Sequence, residues 1–280
     1  MRNAALLLVA AMIVILAAAP TRAGEIASDL YEASTIVTGE REETRLPGLR
    51  TCYETVLVKI SGDPGVIEAP GEAALADQAA SSVVGFRYHD RLEGMPHHDE
   101  QGSRDRPYDL IVRFDPARID AALRWLGRAP WTGPRPRLVP IVAMRRPLAA
   151  YLVAADGPRD LEREALLAAA DQHGMPATLP SEAALAAAGL GVDTLADAGV
   201  TQLEAVARAA SGEAALVGTM RWDEAAIAWA TMWRLVVDGR AYAWHASGPT
   251  FDGAFRAAIG DAARILSGHG ASDPAPSDGQ

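Results

Sequence analysis

The chain has 280 residues, a formal charge of −10 and a single cysteine, Cys52. That length allows one large domain or two small ones, and the acidic balance argues against a nucleic-acid binder, which needs a basic face. One cysteine excludes an intrachain disulfide framework and a multi-cysteine metal site. Alanine makes up a fifth of the chain, 57 residues, and Lys59 is the one lysine beside the arginines.

Arg2 is followed by an unbroken apolar run from Ala4 to Ala19, 16 residues, which Pro20 ends. Thr21-Arg22-Ala23 then places small residues three before and one before a cut after Ala23. This is the layout of a cleavable secretory signal peptide, and the run falls short of the ~20 residues a spanning helix needs. Cleavage would leave Gly24 first, remove two arginines and take the formal charge to −12. The expected product is a periplasmic chain with no transmembrane segment.

Leu30 to Thr38 reads as a strand. A helix is predicted over Pro47 to Ile60. Its apolar residues Leu49, Cys52, Tyr53, Val56, Leu57 and Ile60 recur at helical spacing, and Gly62 suits the left-handed cap. Cys52 lies on that stripe, as an inert core thiol. Glu72 to Ser82 is predicted as a second helix. Val83 to His89 and Tyr108 to Phe114 follow as strands, joined by a long polar connection. Asp115 caps a helix whose inward residues are Ile119, Ala122, Leu123 and Leu126. After the Pro/Gly-rich stretch 129–136, Leu138 to Met144 reads as a short buried strand.

The second half opens near Tyr151. Helices are predicted over Asp160 to His173 and Ser181 to Ala188, with a short strand at Met175 to Leu179 between them. Thr201 and Glu204 have capping-box spacing for a helix to Ala210. Strands Ala214 to Trp222, Ile227 to Val237 and Arg240 to Ala246 come next. Asp238-Gly239 is a two-residue hairpin turn, so paired residue numbers sum to 477, and Trp233 faces Trp244 while Leu235 faces Tyr242. The last helix is predicted over Phe251 to Leu266, and the tail 271–280 is expected to be disordered.

The expected fold class is α+β: two small α/β units with mostly antiparallel sheets, the C-terminal one a three-stranded Trp-rich meander packed by helices. The boundaries are a signal peptide over 1–23, an N-terminal unit over 24–128, a linker and strand region over 129–150 and a C-terminal unit over 151–270.

Several short motifs carry a resemblance. They are Leu30-Tyr31-Glu32-Ala33, the run Val56 to Asp63, Trp131 with Arg135-Pro136, Ala214 to Gly218 and the Trp-rich hairpin. Together they resemble an uncharacterised family of exported proteobacterial proteins, domain of unknown function two thousand sixty-six. Such proteins tend to have a tryptophan in the strand where this chain has Ile141-Val142. The resemblance implies export and fold but no activity. The order of elements in the second half is also similar to small α/β domains of envelope proteins, such as the amino-terminal domain of the Tol–Pal translocation protein and domains of flagellar and curli assembly factors. Those domains bind other proteins, which is an analogy of fold alone.

Candidate chemistry is sparse. His97-His98-Asp99-Glu100, with His89, Asp90 and Asp105 nearby, holds zinc-type ligands. Adjacent histidines point apart in an extended chain, however, and no H-E-x-x-H helix supports them. His245 faces away from the tryptophans with no nucleophile tied to it. There is no G-x-S-x-G, P-loop or G-x-G-x-x-G, so no catalytic, metal or cofactor-binding residue is assigned and no cofactor is expected. The best candidate binding surface is Trp229, Trp233, Tyr242 and Trp244. The competing reading packs that face under the helices 201–210 and 251–266. The opposite face, Ala228, Ala230, Met232 and Arg234, is smaller and less apolar, which favours the core reading. The sequence therefore points to a non-enzymatic envelope protein-binding or assembly factor. The alternatives are a periplasmic hydrolase or metal-binding protein using His97/His98, and a glycan-binding module using the tryptophan face.

Overall fold

The computed structural model describes residues 30–95 and 105–270. The expected signal peptide, the His97/His98 pair and the segment 271–280 lie outside the described residues. The fold is α+β, with one sheet of three strands and one of five.

The first sheet comprises β1 (Glu32–Thr38), β2 (Val83–Asp90) and β3 (Pro107–Phe114) in the order β1-β3-β2, all antiparallel. Helix α1 (Glu42–Ser61) lies across one face, and the whole predicted stripe from Leu49 to Ile60 is buried against Ala33, Val37, Leu110, Val112 and Phe114. The helix starts at Glu42, not Pro47. Pro47 is exposed, as is Glu43, whose carbonyl loses its i+4 partner to it at the solvent side of the helix. Glu42 and Glu43 also suit the positive end of the helix. Gly62 takes the left-handed cap, with φ 71°. The predicted second helix is shorter: α2 covers Glu72–Ala76, and a 3-10 turn at Ala79–Ser82 delivers the chain to β2. Helix α3 (Pro116–Trp125) is capped by the Asp115 carboxylate, which accepts from the Ala117 and Arg118 N–H groups.

The second sheet orders β4 (Leu138–Arg146), β5 (Ala149–Val153), β6 (Ala214–Asp223), β7 (Ala228–Val237) and β8 (Arg240–Gly248) as β5-β4-β6-β7-β8. The predicted meander is thus three strands of five, and the strand assigned to the region 129–150 is an internal member that pairs parallel with β6 from Leu138↔Ala214 to Arg145↔Arg221. Helices α4 (Asp160–Gln172) and α7 (Phe251–Leu266) cover one face. Helices α5 (Glu182–Ala187) and α6 (Val200–Ala209) cover the other. Leu138 to Met144 is buried at every position, as a strand sandwiched between two helical layers must be. Pro140 is tolerated there for a local reason. The Leu138 N–H donates to the Pro176 carbonyl, and Pro140 aims the same way, into the gap before Val153 pairs with Val142. The predicted strand at Met175 to Leu179 reduces to a single bridge, Leu138↔Ala177.

The hairpin register matches the sum of 477, with Trp233 opposite Trp244 and Leu235 opposite Tyr242. Asp238 and Gly239 both have positive φ, 50° and 72°, as a type I′ turn requires. The capping box does not form. Gly199 is the N-cap of α6, and the Glu204 carboxylate instead accepts the Gly239 N–H at 2.7 Å, tying the hairpin turn to the helix.

Candidate functional site

Three places combine exposure with chemistry. The first is the outer edge of the first sheet. Strand β2 pairs with β3 alone, so its other edge carries no strand among the described residues. The register shifts between Val83 and Gly85, leaving Val84 as a bulge that is 64% exposed. Phe86 is 47% exposed, with the Arg45 guanidinium 4.9 Å over its ring. Phe86 meets Tyr88 edge-on at 5.8 Å, and Tyr88 meets Tyr108 at 5.9 Å. Leu46, beside Arg45 in the first turns of α1, is also exposed. Because α1 reaches only part of this flank, an aromatic ladder runs half-covered along an open strand edge. Such an edge can accept a further strand, with backbone hydrogen bonds for affinity and side-chain pockets for selectivity.

The second is the seam between the two halves. The Trp131 N–H donates to the Ile60 carbonyl at 2.7 Å, and Arg135 donates to the Lys59 and Gly174 carbonyls at 2.7 and 3.3 Å. Lys59, 5% exposed, donates to the Glu32 carbonyl at 3.2 Å and pairs with Asp171 at 3.5 Å. A groove of about 470 Å³ lies alongside, between α1, the carboxyl end of α4 and the middle of α7. His173, Asp261 and Arg256 line it on one side, and Thr51 and Thr55 on the other. Both threonine hydroxyls donate to carbonyls of their own helix, so neither is held by a base as a nucleophile would be.

His173 Nδ1 is sealed from solvent and has no partner among the described residues. Burial holds its imidazole down to about 4, and the Arg256 and Lys59 cations add to the effect. The folded chain therefore takes up this proton at lower pH than the unfolded chain does. The contribution to stability is full above ~6.5, is lost as pH falls through that value, and levels off below about 4. The loss is at most ~3 kcal/mol. Urea unfolding at pH 7 and pH 4.5 should show this drop in the parent chain and a smaller one in His173→Gln. Equal drops in the two would contradict the assignment.

The third is a cleft of about 450 Å³ at the carboxyl ends of β4 and β6, lined by Arg145, Arg146, Arg221 and Trp222.

The sequence-predicted surface is divided. Trp233 is fully buried and Trp229 is 3% exposed, which removes both from any open surface. Tyr242 and Trp244 are partly buried and pack on the same core. The physical reason is that α7 lies over this face with Phe255, whose ring is 6.3 Å from Trp233. His245 is exposed on the opposite face, across from Met232. His89, Asp90 and Asp105 go separate ways, to Asp109 at 3.5 Å, Arg106 at 3.0 Å and Arg41. Among the described residues, no three His, Cys, Asp or Glu side chains gather as a metal site would. Cys52 is fully buried and its thiol is pushed up to about 12 by burial.

Sequence reasoning missed the β2 edge because its aromatics alternate like those of any half-buried strand. It missed the arginine cleft because the cleft needs β4 beside β6.

Residues 25–132 match a family described as Domain of unknown function (DUF8605). The matched family is uncharacterised, as the resemblance implied, but it is a different one from domain of unknown function two thousand sixty-six, and the match carries no proteobacterial origin. No curated protein and no solved structure matches the chain. The matched segment contains β1 to β3 and α1, and ends inside the stretch that leads to the second sheet. No helix among the described residues is long and apolar enough to cross a membrane.

Proposed function

We propose that this chain is exported to the periplasm after cleavage at Ala23 and serves there as a non-enzymatic protein-binding or assembly factor of the cell envelope. It takes an extended segment of its partner onto β2. The reading rests above all on the β2 edge: a strand with one edge unpaired among the described residues, a bulge at Val84 and an aromatic flank, Phe86, Tyr88 and Tyr108, left half-open. Arg87, His89 and the Val84 bulge are features that blunt an edge, but Phe86 and Tyr88 keep apolar surface beside the place where a new strand would lie. The leader pattern supports export. The enclosure of Trp229 and Trp233 leaves those rings no face for stacking on a sugar.

A photo-reactive phenylalanine analogue placed at position 86 in the native host tests the reading. Irradiation should join the chain to a discrete partner protein, and the same analogue at exposed Arg240 should not. Equal adducts at both positions, or none at 86, would overturn it.

A further inference from the structure

Among the described residues, the three most exposed large hydrophobic side chains are Leu148 at 99%, Leu161 at 72% and Ile227 at 71%. All three stand at one end of the second sheet. Leu148 is in the two-residue turn between β4 and β5, and Ile227 ends the turn between β6 and β7. Leu161 is in the first turn of α4, next to Glu162, whose carboxylate accepts from the Tyr151 hydroxyl at 2.7 Å. Both strand turns border the same 450 Å³ cleft through Pro147 and Ala225.

Turns favour Gly, Asn, Asp or Ser at such places. Here Ile227 holds a left-handed backbone, φ 51°, which a β-branched residue adopts only under strain. The chain thus places aliphatic side chains, one at a conformational cost, where nothing among the described residues covers them.

One layer behind the tips lie arginines with hydrogen-bonding capacity to spare. Arg146 reaches the Glu162 carboxylate only at 3.8 Å and stacks over Trp229 at 5.2 Å. Arg221 reaches Asp223 at 3.8 Å. Arg159 stacks over Tyr151 at 4.1 Å, with no carboxylate within 4.0 Å among the described residues. Half-buried Trp222 stands at the same depth, edge-on to Trp229 at 5.6 Å.

From this arrangement we infer that this end of the second sheet docks on a phospholipid surface, with Leu148, Leu161 and Ile227 entering the acyl boundary and Arg146 and Arg221 taking lipid phosphate, while Arg145 stays paired with Asp193. Separate aliphatic protrusions suit a fluid apolar layer, which closes around each of them. A protein partner would instead offer a packed pocket, usually to Trp, Tyr or Arg. Guanidinium groups set back from the tips match the height of the phosphates, and a tryptophan beside them matches the interfacial belt. Asp193, Asp223 and Glu224 share the rim, so binding should depend only weakly on the fraction of anionic lipid. The surface is remote from β2, and the inference stands independently of strand addition there.

The full chain carrying an environment-sensitive fluorophore at Leu148→Cys provides the test. Buried Cys52 stays unlabelled. With vesicles of phosphatidylethanolamine and phosphatidylglycerol at three to one, the label should shift to the blue and brighten several-fold. The same label at Arg240→Cys, at the opposite end of the sheet, should not respond. That control also reports any association through the N-terminal apolar run. Adding Ile227→Asp, which the left-handed backbone accepts, should abolish the response at 148. Four results would overturn the inference: an unchanged label at 148, equal responses at both positions, a response that survives Ile227→Asp, or a response to inorganic phosphate or oligoglutamate but not to vesicles. Oligoglutamate alone would reassign the surface to an acidic protein.

Discussion

Trp233→Ala should cost ~3–5 kcal/mol of folding stability and lower the melting temperature by on the order of 10 °C. The ring is fully buried in the middle strand of the meander, against Phe255 and above Gly218. Its indole N–H donates to the Thr231 hydroxyl at 2.9 Å, and that hydroxyl donates in turn to the Ala246 carbonyl at 3.0 Å. Truncation therefore opens a cavity and removes the donor that fixes Thr231. The sheet and α7 meet the site from opposite sides, so neither can collapse into the space. Thermal melts of the two chains decide the matter. A shift of only a degree or two would mean that the ring contributes little to the core, and would return the tryptophan face to consideration as a binding surface.

Gly218→Ala should be the second-largest effect, and it should reverse sign in the right background. A Cβ at Gly218 would stand 2.7 and 2.8 Å from Cη2 and Cε3 of Trp233, and closer still to Cζ3. The indole cannot swing aside because its N–H is held by Thr231 and its face is packed by Phe255. Overpacking of this kind costs ~1–3 kcal/mol. In the Trp233→Ala chain the same methyl group would enter the vacated space, so Gly218→Ala should there be neutral or stabilising. The double-mutant cycle measured by urea unfolding should give a coupling of ~1–3 kcal/mol. Simple additivity would show that Gly218 is small for some other reason than to admit the indole.

The secondary structure was largely legible in the chain itself because its signals are local. The Asp238-Gly239 turn allows one register only, and Trp233 duly faces Trp244. The Asp115 cap and the apolar stripe from Leu49 to Ile60 likewise need only neighbouring residues to be read. The failures also have local causes that lost to distant ones. Thr201 and Glu204 have capping-box spacing, but Gly239 offers Glu204 an N–H across the sheet. Pro47 looks like a helix start, but it is accommodated inside α1, where it and Glu43, whose carbonyl it leaves without an i+4 partner, are exposed.

What the sequence determined by itself was most of the elements, though not β5 or the limits of α2, together with the α+β class and the hairpin register. Which strands lie side by side was decided only by the tertiary structure. The parallel pairing of β4 with β6 joins segments about seventy residues apart, and no pattern within either strand records its partner. That pairing brings Arg145 beside Arg221 and the turns at Leu148 and Ile227 to one rim, just as the order β1-β3-β2 leaves Phe86 on an open edge. Periodicity reports which face of an element is apolar, whereas the position of a strand in its sheet depends on where the helices between strands find an uncovered face to bury.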